Sequence, residues 1–271
     1  MQKGFSKSDE LREKYKNYDF LGEEIKAFND RTGDLGYLDC PICKNKGYIA
    51  INENEEMKMK KCECMKQRNI HKQLEICGIP LNKQKECTFD NIWEKEEWQK
   101  RIKSKAINFC KTDDYKTNWF ILYGFTGSGK TTVCTTMFLE LIKKGCTGKY
   151  LLWNDEITNL VNLKNNYNDL LREEYINKIN ELKKVDVLYI DDLLKLTPQH
   201  KVVEHLSVLY EILNHRYLSE KTTIITTELT KDQLEKMDMA ICGRIYEKCK
   251  KGFYELKSKN DIERNQRYRN N

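Results

Sequence analysis

A glycine-rich segment, Gly124 to Thr131, has the residue types that hold phosphate. Its sequence, GFTGSGKT, fits the pattern G-x-x-x-x-G-K-[ST]; an apolar run precedes it and a segment with helical periodicity follows. Glycines allow such a loop to wrap so that successive backbone N–H groups point inward at phosphate oxygens. The helix that follows adds the positive end of its dipole. The segment therefore predicts a site for the phosphates of a nucleotide.

Individual side chains of this segment have specific predicted tasks. Lys130 would neutralise the β and γ phosphates as a point charge, and the Thr131 hydroxyl would ligate Mg²⁺. The predicted nucleotide-binding residues are Gly124, Phe125, Thr126, Gly127, Ser128, Gly129, Lys130, Thr131 and Thr132. A glycine-rich turn that binds nothing is the alternative, which the flanking strand and helix disfavour.

Two adjacent aspartates follow an apolar run about sixty residues later, in the sequence VLYIDD of residues 187–192. We predict that Asp191 holds Mg²⁺ through water and that Asp192 orients or deprotonates the attacking water as a general base. Alone, an apolar strand that ends in two aspartates is a common strand-to-loop transition. After a phosphate loop at this spacing, the pair indicates a Walker B motif.

Four cysteines form two close pairs, Cys40 with Cys43 and Cys62 with Cys64, on either side of a Lys-Gly turn. Residues 1–10 lack the apolar stretch of a secretory signal, so we interpret the 11 cysteines of the chain as reduced thiols rather than disulfides. Four thiolates complete a tetrahedral Zn²⁺ site without an open position, so the predicted zinc is structural. A small unit with few apolar residues needs such a metal to fold.

Other interpretations of these cysteines stay open. The C-x-C pair is less usual than C-x-x-C, which leaves an iron–sulfur cluster or four metal-free thiols as alternatives. Cys77 or Cys87 could replace one ligand, most readily Cys64. His71 lies nearest the cysteines among the histidines, but a single histidine on a charged helix more often faces solvent.

The elements that must position the phosphate loop and the aspartates alternate between strand and helix. Apolar runs and helical periodicity predict, in order, a strand at 119–123, a helix at 130–144, a strand at 149–153, a long charged helix and a strand at 185–190, with later strands at 222–226 and 253–256. Such alternation is typical of a parallel sheet covered by helices. The predicted fold class is therefore α/β.

The N-terminal part has a different character. Apolar residues three or four apart predict an amphipathic helix over residues 8–30, whose apolar face would pack on the cysteine module or dock another protein. A second helical run covers residues 65–76. We predict an N-terminal module at 1–80, a linker at 81–95 and a larger domain at 96–271.

Composition limits the class of protein without naming a partner. Of the 271 residues, 39% are hydrophobic and 33% charged, and no run approaches the roughly 18 apolar residues of a membrane span. We therefore expect no membrane contact and a cytoplasmic location. The net charge of +6 permits binding to nucleic acid but does not demand it. Basic residues mix with aromatic ones at 98–109 and 216–217, where a solvated helical face explains them equally well.

The motifs together resemble the DnaC/DnaI helicase loaders and the related IstB transposition ATPases, over most of the chain. Three further segments match the family: 222–229, 239–246 and 261–264. The resemblance implies a RecA-like αβα AAA+ domain with an N-terminal helical and zinc-knuckle module. It further implies that Thr227 senses the γ-phosphate, that Arg244 is an arginine finger, and that Arg264 is a second sensing arginine. Many AAA+ sensor strands end in Asn, whereas this strand ends in Thr226, Thr227 and Glu228.

The resemblance also implies a function and partners. An arginine finger at Arg244 would act on a neighbouring copy, so ATP hydrolysis would require head-to-tail assembly and be weak in the isolated chain. The N-terminal module would bind a replicative DnaB-type helicase, and ATP state would control its delivery to single-stranded DNA. Alternatives are an IstB-like transposition helper, a P-loop small-molecule kinase, and a nucleotide switch that does not hydrolyse ATP.

Overall fold

A computed structural model describes residues 19–249 and 253–256, and the chain divides into two compact units between Asn69 and Ile70. The described part of the first unit contains a two-stranded antiparallel hairpin, and that of the second contains a five-stranded parallel sheet. No helix within the described ranges is long and apolar enough to cross a membrane.

From Asp19 onward, where the structure describes it, the first unit has one helix, one hairpin and the beginning of a second helix. These are α1 (Phe20–Asp30), β1 (Tyr48–Glu53), β2 (Glu56–Lys61) and α2 (Cys64–Ile76). The hairpin turn places Asn54 at φ 57° and Glu55 at φ 63°, the left-handed pair that a type I′ turn requires.

Helix α1 packs on this hairpin. The side-chain amide of Asn29 donates to Ala50 O at 2.9 Å, and its oxygen accepts from Ala50 N at 2.9 Å. None of the 11 residues of α1 is fully buried, and Phe20 is 63% exposed. The part of the predicted helix before Asp19 lies outside the described residues.

The second unit is built on a parallel sheet whose strand order is β4–β5–β6–β3–β7. The strands are β3 (Phe120–Gly124), β4 (Gly148–Leu152), β5 (Val187–Asp191), β6 (Thr222–Thr227) and β7 (Phe253–Leu256). Each lies within two residues of its predicted bounds. The predicted α/β class is confirmed.

Helices cover both faces of this sheet. They are α3 (Leu81–Glu86), α4 (Glu97–Lys111), α5 (Lys130–Lys143), α6 (Trp153–Lys164), α7 (Asp169–Lys184), α8 (Val202–Leu218), α9 (Lys231–Met237) and α10 (Met239–Lys248). Successive strand residues point to opposite faces, so Phe120 and Leu122 join the apolar cluster under α4 and α5, while Ile121 joins the cluster under α6, α7 and α8. The unit is a three-layer αβα domain.

The segment predicted as a linker belongs to the core of the second unit. Ile79, Cys87 and Ile92 are at most 7% exposed and share an apolar cluster with Phe109. The structure thus differs from the predicted division at residues 80 and 95, because the unit boundary falls inside α2. Pro80 and the many polar residues of this segment predicted a linker. Its apolar residues Cys87 and Ile92, however, are buried in the core of the second unit.

Arg216 is an internal residue. Its guanidinium is fully buried and donates to Leu182 O at 2.9 Å, Val185 O at 2.9 Å and Thr223 Oγ1 at 3.1 Å. It thereby joins α8 to the end of α7 and to β6. The interpretation of residues 216–217 as a solvated or DNA-binding face is therefore wrong for Arg216.

Candidate functional site

The phosphate loop connects β3 to α5, and its glycines have conformations that other residues rarely adopt. Gly124 has φ 139°, and a Cβ there would lie 2.7 Å from Leu256 O. Gly129 has φ 89° and is the residue that caps the N-terminus of α5. The loop is therefore positioned at the positive end of a helix, where backbone N–H groups bind anions.

Lys130 is held by its own loop. Its ammonium donates to Gly124 O and to Phe125 O, each at 2.9 Å, and the residue is 5% exposed. Burial lowers the pKa of Lys130, and the nearby carboxylates of Glu228 and Asp192 oppose that effect. The buried cation thus lies at the point where the sequence predicted phosphate, and two carbonyl oxygens of the loop accept its hydrogen bonds.

Asp191 ends β5 and receives three hydroxyl groups. Thr131 Oγ1 lies 3.1 Å from Asp191 Oδ1, and Thr226 Oγ1 donates to the same oxygen. Tyr150, on the neighbouring strand β4, donates its hydroxyl to Asp191 Oδ2 at 3.1 Å. Burial and the charge of Asp191 raise the pKa of Tyr150, which therefore stays a donor at neutral pH. The predicted magnesium pair, Thr131 and Asp191, is in direct contact.

Asp192 turns toward the cleft beside the loop. Its backbone has φ 55°, and its N–H donates to Thr226 Oγ1 at 2.9 Å. One carboxylate oxygen lies 3.3 Å from the Lys195 ammonium. A non-glycine residue in the left-handed region is often found at functional sites.

The cleft at the carboxyl edge of the sheet has a volume of about 460 Å³. Its walls carry phosphate-loop residues together with charged groups from other elements: Lys83, Thr126, Gly127, Gly129, Lys130, Thr131, Thr132, Asp192, Lys195 and Glu228. The sequence did not identify Lys83 or Lys195, and it indicated Glu228 only as one of three residues at the end of the sensor strand. Only its position three residues after Asp192 could have indicated Lys195.

A second, smaller cavity of about 150 Å³ also borders the phosphate loop. Apolar and aromatic side chains wall it beside the loop: Ile92, Trp93, Trp98, Ile102, Val133 and Leu256, together with Ser128, Gly129 and Thr132. Such walls suit the flat ring of a nucleobase. The sequence analysis assigned the segment before α4 to a linker and therefore missed this pocket.

Thr227, the predicted γ-phosphate sensor, is fully buried. Its hydroxyl donates to Leu193 O at 2.8 Å and accepts from Leu229 N at 3.1 Å. The flanking residues lie nearer the chemistry, since Thr226 contacts Asp191 and Glu228 lines the cleft. The role of Thr227 stays a prediction.

Arg244 lies on α10 and is not among the residues that line the cleft. Its guanidinium donates to Asn214 Oδ1 at 3.0 Å and to Ala240 O at 2.9 Å, and it stacks 4.9 Å from the ring centre of Tyr210. The predicted action on a neighbouring copy stays a prediction. Arg264 lies outside the described residues.

In the first unit, the four predicted metal ligands come together. The Sγ atoms of Cys40, Cys43, Cys62 and Cys64 all lie within 4.8 Å of one another, and all four residues are buried. Cys40 Sγ is 3.8 Å from Cys62 Sγ, and Cys43 Sγ is 3.6 Å from Cys64 Sγ. Tetrahedral zinc with bonds of about 2.3 Å separates its sulfur ligands by about 3.8 Å. The donor set thus fits one tetrahedral ion.

Neighbouring groups hold the cysteines in place. Arg68 donates to Leu35 O at 2.8 Å and to Asn45 Oδ1 at 2.9 Å, and the same Asn45 oxygen accepts from Cys40 N at 2.9 Å. Against the effect of burial, the N–H donor of Gly47 and the adjacent thiols lower the pKa of Cys43, whereas burial and the same group of thiols raise the pKa of Cys64. A thiolate is the form that binds metal.

Cys77 and Cys87 do not take part in this cluster. Both belong to the apolar core of the second unit, together with Ile79 and Phe109. Burial raises the pKa of each thiol. The alternative in which one of them replaces Cys64 as a ligand is therefore wrong.

Comparison with known proteins identifies the family. The model of the family described as IstB-like ATP binding protein matches residues 52–268, and the chain belongs to this family. The phage-like element PBSX protein XkdC of Bacillus subtilis (strain 168) is 28% identical over 239 residues, which cover 83% of this chain and 85% of that protein.

Solved structures share the fold. A crystal structure of the DnaC helicase loader superposes with a TM-score of 0.51 and 21% identity, over 63% of this chain and 95% of that chain. A crystal structure of DnaI gives a TM-score of 0.50 and 20% identity, over 68% of this chain and 94% of that chain. These similarities show that this part of the chain shares the fold of the two solved proteins.

Proposed function

We propose that this IstB-like protein hydrolyses ATP and uses the nucleotide to load a replicative DnaB-type helicase onto single-stranded DNA. The observation that carries the ATP part is the contact of 3.1 Å between Thr131 Oγ1 and Asp191 Oδ1. It brings the hydroxyl after the phosphate-loop lysine and the acid at the end of β5 to one point beside the cleft. P-loop NTPases hold Mg²⁺ with this pair of groups.

Each residue of the site has a task in hydrolysis. Backbone N–H groups of the loop and Lys130 bind the phosphates, and Thr131 with Asp191 would hold Mg²⁺, which would supply positive charge to neutralise them. Asp192 orients the attacking water. The bond from the water oxygen to the γ-phosphorus forms as the bond from that phosphorus to the bridging oxygen breaks, giving ADP, phosphate and a proton.

The loader assignment rests on domain organisation. The first unit carries its own folded cysteine cluster, made of residues other than those that line the ATP cleft. The solved DnaC and DnaI structures that match this chain support the same assignment, since the first of these proteins is a helicase loader. We assign helicase binding to the N-terminal unit and the binding of single-stranded DNA to the assembled ATPase domains.

Assembly would complete the site. Arg244 is always charged and planar, and an arginine supplied by a neighbouring copy stabilises the transferring phosphoryl group in related chemistry. Arg244 is bound to Asn214 and stacked on Tyr210, and it is not among the residues that line its own cleft. We therefore expect ATP turnover per chain to rise with protein concentration.

The cysteine cluster is proposed as a structural zinc site. Its four sulfur ligands leave no position open for substrate, so the ion would hold the fold of the first unit. An iron–sulfur cluster places several metal atoms between the sulfurs and would hold them further apart than the spacing found here.

The second candidate is an IstB-like transposition helper, which the family name favours. It would use the same ATP chemistry with a transposase on duplex DNA. The four-cysteine unit favours the loader. Two weaker alternatives remain. Turnover stimulated by a phosphate acceptor would indicate a small-molecule kinase. No turnover at high protein concentration would indicate a non-hydrolysing switch.

One set of measurements tests the proposal. Wild-type protein should hydrolyse ATP, and Lys130→Ala and Asp191→Asn should abolish turnover, with Lys130→Ala also losing ATP binding. Co-purification should recover the replicative helicase of the host, and Cys43→Ser/Cys64→Ser should lose it. Recovery of a transposase without the helicase would support the second candidate.

A further inference from the structure

Lys195 is a cation of the cleft that the ATP chemistry described above does not use. Its ammonium lies 2.9 Å from Glu228 Oε1 and 3.3 Å from Asp192 Oδ2. Its side chain is 24% exposed and lines the same cleft as Lys130 and Thr131. Burial opposes its charge, but the carboxylates of Glu228 and Asp192 outweigh burial and raise the pKa of Lys195.

The backbone that carries Lys195 is fixed in an unusual conformation. Asp192, Leu194 and Leu196 have φ of 55°, 57° and 53°, so three non-glycine residues in alternate positions adopt the left-handed region. Leu193 anchors the loop, since its N–H donates to Thr226 O at 2.8 Å and it is fully buried. Such strain persists only where the surroundings impose it, and it is concentrated at functional sites. Here it accompanies a lysine side chain that lines the cleft.

Glu228 links Lys195 to the phosphate loop. Its Oε1 atom accepts from the Lys195 ammonium and also from the hydroxyl of Thr126 within the loop. The two bonds outweigh burial and lower the pKa of Glu228, so it is a carboxylate at neutral pH. The ammonium of Lys195 is thus separated from the phosphate loop by one carboxylate oxygen.

A bound triphosphate would compete with this carboxylate. The γ-phosphate of ATP has three acceptor oxygens and carries more negative charge than one carboxylate. A flexible ammonium therefore gains electrostatic energy when it moves from Glu228 to this phosphate. ADP lacks that group and leaves the pair of Lys195 and Glu228 intact. The same movement releases Asp192, which orients the attacking water in the proposed reaction.

We propose that Lys195 binds the γ-phosphate of ATP within the same chain, exchanging Glu228 and Asp192 for phosphate oxygens, and so distinguishes ATP from ADP and stabilises the transferring phosphoryl group. This inference rests on the proposed ATP function. It makes Lys195 a catalytic residue that acts by charge, as arginine fingers do from a neighbouring copy.

The test compares the affinities of a non-hydrolysable ATP analogue and of ADP in full-length protein with Mg²⁺. Lys195→Ala should weaken the ATP analogue about 10- to 100-fold, the effect of one charge-assisted hydrogen bond, and leave ADP within about twofold. Lys195→Arg should retain part of the preference for ATP. Glu228→Gln should strengthen the ATP analogue, because the competing carboxylate is gone. Lys201→Ala serves as a matched control with both affinities unchanged.

The outcomes separate this inference from the proposed function. Equal weakening of both nucleotides in Lys195→Ala, or no change in either, overturns the γ-phosphate contact. Lys130→Ala should weaken ATP and ADP alike; if it does so while Lys195→Ala leaves their ratio unchanged, only the role of Lys195 fails. If Lys130→Ala leaves both affinities unchanged, the ATP site itself is wrong and the contact with it. Turnover in Lys195→Ala should fall about 10²- to 10³-fold, as when one electrostatic donor is removed.

Discussion

The hydroxyl of Tyr150 donates to Asp191 Oδ2 at 3.1 Å across the β4–β5 pair. The other oxygen of Asp191 accepts from Thr131 and Thr226, so both oxygens of the predicted magnesium acid are fixed. The backbone of Tyr150 is fixed as well, because its N–H donates to Cys77 O at 2.7 Å. Tyr150 is therefore a positioning residue for the acid of the proposed hydrolysis.

Removal of this hydroxyl should impair turnover more than nucleotide binding. In Tyr150→Phe, Asp191 loses one hydrogen bond, and a hydrogen bond to a charged acceptor contributes about 1.5–3 kcal/mol. We therefore expect turnover to fall roughly tenfold or more. ATP affinity should stay within about twofold, and the Mg²⁺ concentration for half-maximal turnover should rise. Steady-state turnover against Mg²⁺ measures both. Tyr217→Phe removes a hydroxyl bound to Glu247 on another part of the surface and is the matched control. An unchanged Mg²⁺ dependence in Tyr150→Phe would contradict the positioning role.

The features that could be predicted from the sequence depend on residues that lie close together in the chain. The strands of the second unit are continuous apolar runs because both faces of the sheet are buried, and the phosphate loop has a fixed order of glycines, lysine and threonine. Asp191 and Asp192 follow such a run directly. Because these signals involve only neighbouring residues of the chain, they can be recognised in the sequence alone.

The features that sequence missed depend on contacts between distant segments. Lys195 and Glu228 are one lysine and one glutamate among many, and only the meeting of the β5 and β6 edges pairs them at 2.9 Å. Trp93 lies in the polar segment predicted as a linker, and Trp98 lies in a mixed basic and aromatic stretch. The Thr227 side chain points to Leu193 O, and no local pattern says which of three successive polar residues ends a strand facing the cleft.

The aromatic cavity beside the phosphate loop should bind the base common to ATP and ADP. Trp98 is fixed by a bond of 2.6 Å from its indole N–H to Glu96, and Trp93 lies in the same wall. Trp93→Ala should weaken ATP and ADP equally, by about tenfold, since stacking on one aromatic side chain is worth about 1–3 kcal/mol per base. Isothermal titration measures both affinities. Binding of inorganic triphosphate should be unchanged, and a loss confined to ATP would contradict the assignment.

Removal of the proposed zinc should unfold the first unit and spare the ATP site. Cys43→Ser deletes one of four sulfur ligands, and metal binding supplies the folding free energy of small units of this kind. Metal analysis should give one zinc per wild-type chain and none in the variant, while nucleotide affinity stays within about twofold. Cys146→Ser, which removes a half-buried thiol far along the sequence from the cluster, should retain the zinc. A full zinc content in Cys43→Ser would contradict the four-cysteine site.

Glu211 should stabilise the second unit at neutral pH but not in acid. It accepts from Tyr175 at 2.6 Å, Lys183 at 2.8 Å and Lys164 at 3.2 Å, which joins α6, α7 and α8. Burial opposes its ionisation, but these three donors outweigh burial and lower the pKa of Glu211 below its usual value. A carboxylate whose folded pKa is lowered contributes stability above its unfolded pKa and loses it as the pH falls through the folded value.

Urea unfolding of Glu211→Gln as a function of pH checks this expectation. At pH 7 the variant should lose roughly 1–2 kcal/mol of unfolding free energy, since three donors face a neutral amide. The difference from wild type should shrink as the pH falls through the lowered pKa of Glu211, where the wild-type carboxylate becomes protonated. Glu174→Gln, in an exposed pair with Lys178, should show little difference at any pH. A deficit that stays constant down to low pH would mean that packing, not charge, explains the effect.

The buried guanidinium of Arg216 should be the most sensitive position for stability away from the cleft. It donates hydrogen bonds to the carbonyls of Leu182 and Val185 at the C-terminus of α7. Carbonyls at the end of a helix have no N–H partner within that helix. Arg216→Ala removes those donors and leaves a cavity, so we expect a loss of about 3–5 kcal/mol in unfolding free energy. Arg216→Lys should recover only part of it, because an ammonium cannot reach several carbonyls in the geometry of a planar fork. Arg172→Ala, at an exposed position on α7, should change stability by less than about 0.5 kcal/mol. Full stability in Arg216→Lys would show that charge alone, rather than the forked set of hydrogen bonds, holds α7 to α8.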